Sequence, residues 1–113
     1  MSKPMNNVDI LKELTAILEA RKQESANTSY VASLYAMPDK MLEKIGEEAI
    51  ETIIAAKNED KEHIIYETAD LWFHSMVMLS HLDIEVSAVT QCLGDRFGIS
   101  GLEEKASRKT ADN

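Results

Sequence analysis

The sequence predicts an all-α fold, and three features of its 113 residues agree on this. Apolar residues recur three or four positions apart in several segments, which is the period of a helix. No segment alternates apolar and polar residues as a half-buried strand does. Polar, turn-prone stretches at 23–29 and 58–60 separate the periodic segments. At this length we expect one domain, spanning residues 1–113, with a thin hydrophobic core.

The first half of the chain predicts three helices. An amphipathic helix begins near Asn7 or Asp9, and its apolar stripe is interpreted as core. A short helix covers Tyr30–Tyr35. Pro38 marks a boundary, since the residue before a proline is disfavoured in a helix. The next helix then runs from about position 39 or 40 to Lys57. The stripe of the first helix consists of Ile10, Leu11, Leu14, Ile17 and Leu18.

The second half predicts two further helices and a tail. One helix runs from about 61 to 81, and Asp83 is placed to cap another from 84 to about 93. In that last helix Val86, Val89 and Leu93 are expected to face inward. From Gly94 onward glycine and charged residues dominate, which predicts a flexible tail over 94–113.

Composition excludes several classes of protein. The formal net charge is −8 and the pI about 4.8, which argue against a nucleic-acid-binding surface. The single cysteine, Cys92, excludes an internal disulfide and suits a reducing compartment. The start of the chain is polar, and the longest apolar segment, 71–79, is too short to cross a bilayer. We therefore expect a cytoplasmic protein whose partners include neither nucleic acid nor membrane.

The most informative residues are carboxylates on two consecutive helices. Helical spacing places Glu48 and Glu51 on one side of the first, and Glu67 and Asp70 on one side of the second. The short turn at 58–60 makes these helices antiparallel neighbours, so the two clusters can face each other. The second helix is otherwise apolar on nearly every face, which is typical of a buried helix.

Buried carboxylates without partners would cost on the order of several kcal/mol each, or would take up protons. A positive charge between the helices removes this cost. Mg²⁺ fits because it prefers oxygen ligands. The expected ligands are Glu47, Glu48, Glu51, Glu67 and Asp70.

Plainer explanations exist for several of these signals. Glutamates alone are common on solvated helices. His74 is interpreted as a core or hydrogen-bonding group rather than a metal ligand, because oxygen ligands suffice for magnesium. Lys44, one turn before Glu48, fits an ordinary ion pair and a phosphate contact equally well. The first acidic helix has two apolar strips, which imply two neighbours, one of them from another chain. These strips are Leu42, Ile45, Ala49, Ile53 and Ala56, and Ile50 with Ile54.

These residues also carry a family resemblance. Glu47-Glu48-x-x-Glu51, followed after fifteen residues by Glu67-x-x-Asp70, resembles the metal motif of the MazG-like all-α nucleoside triphosphate pyrophosphohydrolases. Within that superfamily the chain is similar to the phosphoribosyl-ATP pyrophosphohydrolase family of histidine biosynthesis. The narrower likeness rests on Ser29-Tyr30-x-Ala32-Ser33-Leu34 and on the tail segment 96–108, Arg-Phe-Gly-Ile-Ser-Gly-Leu-Glu-Glu-Lys-Ala-Ser-Arg.

The resemblance implies hydrolysis of phosphoribosyl-ATP to phosphoribosyl-AMP and pyrophosphate with Mg²⁺. It also implies a homodimer whose acidic helices complete a four-helix core. The five carboxylates would then serve as catalytic and metal-binding residues. Two alternatives stay open: a housekeeping MazG-like enzyme acting on other nucleotides, and a non-catalytic helical dimerisation module. The expected substrate-binding residues are Lys44, Lys57, Ser100, Gly101, Lys105 and Arg108.

Overall fold

The computed structural model describes residues 7–98, and every regular element in that range is an α-helix. The all-α prediction is therefore confirmed. The chain divides into two compact units, Met1–Asp83 and Ile84–Asn113. None of the helices in the described range combines the length and hydropathy that crossing a bilayer requires. The helices are α1 (Asn7–Arg21), α2 (Tyr30–Ala36), α3 (Pro38–Lys57), α4 (Lys61–His81) and α5 (Val86–Phe97).

Helices α3 and α4 form an antiparallel hairpin because the turn between them closes both helix ends. Glu59 adopts a left-handed conformation (φ 55°). Its N–H donates to the Ala56 carbonyl at 3.1 Å, and the N–H of Asp60 donates to the Ala55 carbonyl at 3.4 Å. This pair of bonds is the Schellman arrangement that ends a helix. The Asp60 carboxylate then accepts the N–H of His63 at 3.3 Å, which caps the start of α4.

Helix α2 joins α3 through one residue. The Ser29 hydroxyl accepts the N–H of Ala32 at 3.2 Å and caps the start of α2. Met37 follows α2, and Pro38 is the first residue of α3, where a missing N–H costs nothing. Since no longer loop intervenes, α2 and its Tyr30 are held close to the α3–α4 hairpin.

The core of the first unit is apolar with a polar centre on one side. Tyr35 lies with its hydroxyl 2.9 Å from the Leu18 carbonyl and 3.0 Å from the Ser80 hydroxyl. Ser80 in turn donates to Glu19 at 2.6 Å. These contacts link α1, α2 and α4. The buried apolar side chains around them are Leu18, Val31, Ala32, Leu34, Met41, Ala55, Met76 and Val77.

Several apolar residues that the periodicity placed inward are exposed. On α3 the inward face carries Met41, Glu48 and Ala55, whereas Leu42 and Ile53 face outward. The same holds for Ile10 and Ile17 on α1 and for Val89 and Leu93 on α5. Ile65 and Trp72 of α4, a helix that its apolar composition marked as buried, are exposed as well. Periodicity identifies which residues share a helix face, but it does not show whether the same chain covers that face.

The expected cap at Asp83 is wrong. Asp83 adopts a left-handed conformation (φ 58°), and its carboxylate pairs with Lys22 on α1 at 2.9 Å. Helix α5 begins two residues later than predicted, at Val86, after Glu85 in an extended conformation. A short acidic residue suits a helix cap and a surface ion pair alike, and here the ion pair prevails.

Helix α5 extends past Gly94, where the tail was expected to begin. It ends at Phe97, and Gly98 follows in the left-handed conformation (φ 68°) that commonly terminates helices. The second glycine, rather than the first, therefore ends the helix. The rest of the predicted tail, 99–113, lies outside the described residues.

The polar centre gives a test of what holds α1, α2 and α4 together. We expect Tyr35→Phe to lower the free energy of unfolding by about 1–2 kcal/mol, because the Leu18 carbonyl and the Ser80 hydroxyl oxygen lose the single hydroxyl hydrogen that they share. Tyr66→Phe is the matched control, since Tyr66 is exposed on α4 and its change should stay within about 0.5 kcal/mol. Urea unfolding measures both variants. Equal effects in the two variants would contradict a structural role for the Tyr35 hydroxyl.

Candidate metal centre

Three carboxylates converge between α3 and α4. One oxygen each from Glu48, Glu67 and Asp70 lies within 4.8 Å of the other two. Glu48 is 5% exposed and Glu67 6%, while Asp70 is half-buried. The α3–α4 turn produces this meeting, because it sets the inward face of α3 against the Glu67–Asp70 side of α4.

In each buried glutamate, one carboxylate oxygen lies near a cationic or imidazole group, and the other has no hydrogen-bond partner among the described residues. The Lys44 ammonium lies 3.7 Å from Oε1 of Glu48, and the imidazole Nε2 of His63 lies 2.9 Å from Oε2 of Glu67. The remaining oxygens, Glu48 Oε2 and Glu67 Oε1, are buried and have no hydrogen-bond partner in the described part of the chain. An unsatisfied buried acceptor costs about 1–3 kcal/mol, and more when charged.

The donor set therefore suits a hard cation. Two unpartnered carboxylate oxygens and a third carboxylate face a common point, and all are oxygen donors. Mg²⁺ and similar ions prefer such ligands and complete their shells with water or phosphate oxygens. Within residues 7–98, Glu48, Glu67 and Asp70 are the acidic, histidine or cysteine side chains whose ligand atoms lie close enough together to hold one metal ion.

Burial and mutual interaction shift the pKa values of these carboxylates. Burial, together with Glu67 beside it and the charges of Asp70 and Glu51, raises the pKa of Glu48 to about 7. Burial also opposes ionisation of Glu67, but its contacts with Glu48, Glu51 and His63 outweigh that effect and lower its pKa. A proton on Glu48 can bridge to Glu67, and a bound cation would displace that proton.

The other two predicted ligands lie outside the converging group. Glu47 and Glu51 are both exposed. Glu47 pairs with Lys44 at 3.4 Å, whereas Glu51 is close enough for its charge to act on Glu48. Their assignment as ligands stays a prediction.

His74 makes two hydrogen bonds, as the hydrogen-bonding interpretation expects. Its Nδ1 lies 2.9 Å from the Asp70 carbonyl oxygen, so Nδ1 carries the hydrogen and donates it. Its Nε2 lies 2.9 Å from the Tyr30 hydroxyl, which is then the donor to the free imidazole lone pair. His74 is buried, and its ring is held by a hydrogen bond at each nitrogen, one of them to the backbone of Asp70.

Sequence reasoning missed two residues at this site. His63 stands one helical turn before Glu67, a spacing that could have revealed the contact. Tyr30 comes from α2, 44 positions away from His74, and no local spacing could have revealed it.

The predicted substrate-binding residues are placed only in part. Lys44 lies beside Glu47 and Glu48, and its pKa is raised: burial opposes the charge, but Glu47, Tyr30 and Glu48 outweigh it. Lys57 is exposed in the last turn of α3. Ser100, Gly101, Lys105 and Arg108 lie outside the described residues.

The raised pKa of Glu48 predicts how the metal-free protein responds to pH. Between the ordinary pKa of about 4.5 and the folded value of about 7, the folded state binds more protons than the unfolded state. Stability should therefore fall as pH rises from 5 to 8, by on the order of 1–2 kcal/mol. Glu67 does not interfere, because its lowered pKa acts below that window.

We expect Glu48→Gln to remove this fall, since the amide does not ionise. Glu43→Gln, on an exposed position of the same helix, should keep it. Urea unfolding in EDTA at several pH values measures the slope. If Glu48→Gln retains the wild-type slope, the buried carboxylate is not its source.

Comparison with known proteins places the chain in a family. The family model described as phosphoribosyl-ATP pyrophosphohydrolase matches residues 11–97, which include all five predicted acidic residues. Two curated relatives are both named phosphoribosyl-ATP pyrophosphatase. The one from Hydrogenovibrio crunogenus is 51% identical over 109 residues, covering 92% of this chain and 96% of the relative. The one from Methylococcus capsulatus is 55% identical over 103 residues, covering 90% and 98%. With a matched model over most of its length and relatives this similar, the chain belongs to the phosphoribosyl-ATP pyrophosphohydrolase family.

Proposed function

We propose that the chain hydrolyses phosphoribosyl-ATP to phosphoribosyl-AMP and pyrophosphate, the second step of histidine biosynthesis. The observation that carries the proposal is the pair of buried, unpartnered oxygens of Glu48 and Glu67 in a member of this family. Without a bound cation, the buried carboxylates lower the stability of the folded protein. Such a cost is expected where a protein binds a cation for function. A biosynthetic enzyme with such a phosphorylated substrate implies the cytoplasm as its compartment.

The metal in this proposal is Mg²⁺. Glu48, Glu67 and Asp70 would hold it, and Glu47 and Glu51 would join them at the exposed side of the cluster. When bound, Mg²⁺ neutralises charge on the triphosphate and lowers the pKa of a coordinated water.

The side chains of this protein then have defined tasks. Water attacks the α-phosphorus, the bond from that phosphorus to the bridging oxygen of pyrophosphate breaks, and a glutamate of the cluster accepts the water's proton. Lys44 lies at the edge of the cluster, where its ammonium can contact phosphate oxygens. Further phosphate contacts are proposed for Lys57, Ser100, Gly101, Lys105 and Arg108.

We also infer that the chain forms a homodimer through α3 and α4. Ile50, Ile53 and Ile54 on α3 are 60%, 61% and 52% exposed, and Ile65 and Trp72 on α4 are exposed as well. Large apolar surface of this kind on a small protein marks an association site. Pairing two α3–α4 hairpins would give a four-helix core.

The activity test is pyrophosphate release from phosphoribosyl-ATP, compared with ATP and a panel of other nucleoside triphosphates, with and without Mg²⁺. We expect Mg²⁺-dependent release from phosphoribosyl-ATP in clear preference to the panel. Preference for ordinary or damaged nucleotides would identify a housekeeping enzyme instead. Absence of any turnover, with no Mg²⁺-dependent rise in melting temperature, would leave only the dimerisation module.

Glu51→Gln tests the catalytic assignment in the same assay. We expect kcat/KM to fall by about 100-fold or more, because an exposed ligand of the cluster is lost. Helical content should stay unchanged, since Glu51 is exposed on α3. Glu43→Gln, two turns earlier on that helix, is the control. Normal turnover by Glu51→Gln would show that this residue is not part of the site.

The molecular mass in solution tests the inferred dimer. Light scattering at micromolar concentration should give twice the mass of the 12.6 kDa chain. Ile53→Asp should shift the protein toward monomer, because a charge would be buried at the interface. Ile10→Asp, at an exposed position of α1, should not. If light scattering shows a folded wild-type monomer at this concentration, the inferred dimer is wrong.

A further inference from the structure

A cavity of about 370 Å³ opens between α1, the start of α2, and α4. Leu14, Ile17, Leu18 and Arg21 line it from α1, Thr28 and Ser29 from the segment before α2, Tyr30 and Val31 from α2, and Phe73 from α4. None of these residues belongs to the carboxylate cluster. The cavity is of the size that small-molecule sites commonly have.

The walls of this cavity offer mostly apolar contact. Two aromatic side chains, Tyr30 and Phe73, stand among aliphatic ones. The polar groups among the lining residues are already engaged: the Arg21 guanidinium pairs with Glu24 at 2.6 Å, the Ser29 hydroxyl accepts the N–H of Ala32, and the Thr28 hydroxyl donates to the Ser25 carbonyl at 3.2 Å. The cavity therefore suits a flat group with large apolar faces better than a sugar or a phosphate.

Tyr30 connects the cavity to the metal centre. Tyr30 lines the cavity, and its hydroxyl donates to Nε2 of His74, whose Nδ1 donates to the Asp70 carbonyl. Burial raises the pKa of Tyr30; the charge of Lys44 opposes that rise, and Glu48 and Asp70 add to it. The hydroxyl thus lies within electrostatic reach of the residues that would hold metal and triphosphate.

We propose that this cavity receives the purine base of the substrate, on the α2 side of the metal centre. The inference rests on the proposed function. Among the parts of phosphoribosyl-ATP, the triphosphate, the two riboses and the 5′-phosphate are all strongly polar. The base alone has the extended apolar faces that these walls match, and it lies one ribose away from the phosphate that the metal centre holds.

The test uses phosphoribosyl-AMP, the product, which keeps the base and both riboses but lacks the scissile bond. In the wild-type protein with Mg²⁺, nuclear Overhauser contacts should link the base protons to methyl groups of Leu14, Ile17 and Val31. The methyl groups of Ile10 and Leu42, outside the cavity, should show none. Base contacts that fall elsewhere would overturn the proposal even if the cavity variants fail to fold.

A matched pair of variants gives the affinity. Ile17→Trp should fill the cavity, and Ile10→Trp places the same change on the same helix outside it; the two positions are 48% and 46% exposed. We expect phosphoribosyl-AMP to bind Ile17→Trp at least about tenfold more weakly. Mg²⁺-dependent binding of inorganic pyrophosphate should stay at the wild-type value in both, since it needs only the metal centre.

The outcomes separate this inference from the proposed function. If the wild type hydrolyses phosphoribosyl-ATP but Ile17→Trp binds the product normally, the cavity assignment is wrong and the function stands. Equal weakening in Ile10→Trp also overturns the assignment, because the effect would not be local. If the wild type does not hydrolyse phosphoribosyl-ATP, the function fails. The base contacts are then sought with AMP, and their presence or absence decides the cavity alone.

Discussion

Repulsion between carboxylates buried across the α3–α4 hairpin is the constraint on which the site depends. Glu48 and Glu67 each have one oxygen with a cationic or imidazole neighbour and one with none. Lys44 and His63 thus offset the charge only in part. Burial of Glu48, and then the carboxylates close to it, oppose its ionisation and raise its pKa to about 7. A divalent cation would relieve the repulsion and satisfy the free oxygens together.

The rest of the first unit holds these groups in place against that repulsion. The turn at 58–60 fixes the register of α3 against α4 through its two helix-ending bonds and the Asp60 cap. Tyr30 and His74 fix the Asp70 turn of α4 from the side of α2. On the far side of α4, Tyr35 and Ser80 link α2 and α4 to α1. The carboxylates repel one another, and contacts that involve α1, α2, α3 and α4 hold them in place.

The same arrangement explains why so much apolar surface stays exposed. Helix α3 turns Glu48 inward, with Met41 and Ala55, so Ile50, Ile53 and Ile54 point the other way. A buried polar site on one face leaves the apolar face of the helix for another partner, which is the physical basis of the inferred dimer. The buried carboxylates and the exposed apolar surface thus both follow from one orientation of α3.

The sequence by itself determined the helical class, the α3–α4 hairpin and the acidic residues that face each other. These rest on local rules, since periodicity, capping residues and the length of a turn act over a few positions. The same rules failed where a residue had two local options, as Asp83 did between a helix cap and its pair with Lys22. They also failed at Gly94 and Gly98, where both glycines could end α5 and only the second does.

Only the tertiary structure decided which faces are buried and which oxygens are unpartnered. Leu42 and Ile53 are as apolar as Leu18, yet they are exposed because no other helix within residues 7–83 covers them. The bond from Tyr30 to His74 joins positions 44 apart, and the cavity beside it needs α1, α2 and α4 at once. Such features depend on how helices pack in space, and a one-dimensional pattern records spacing along the chain rather than contacts across it.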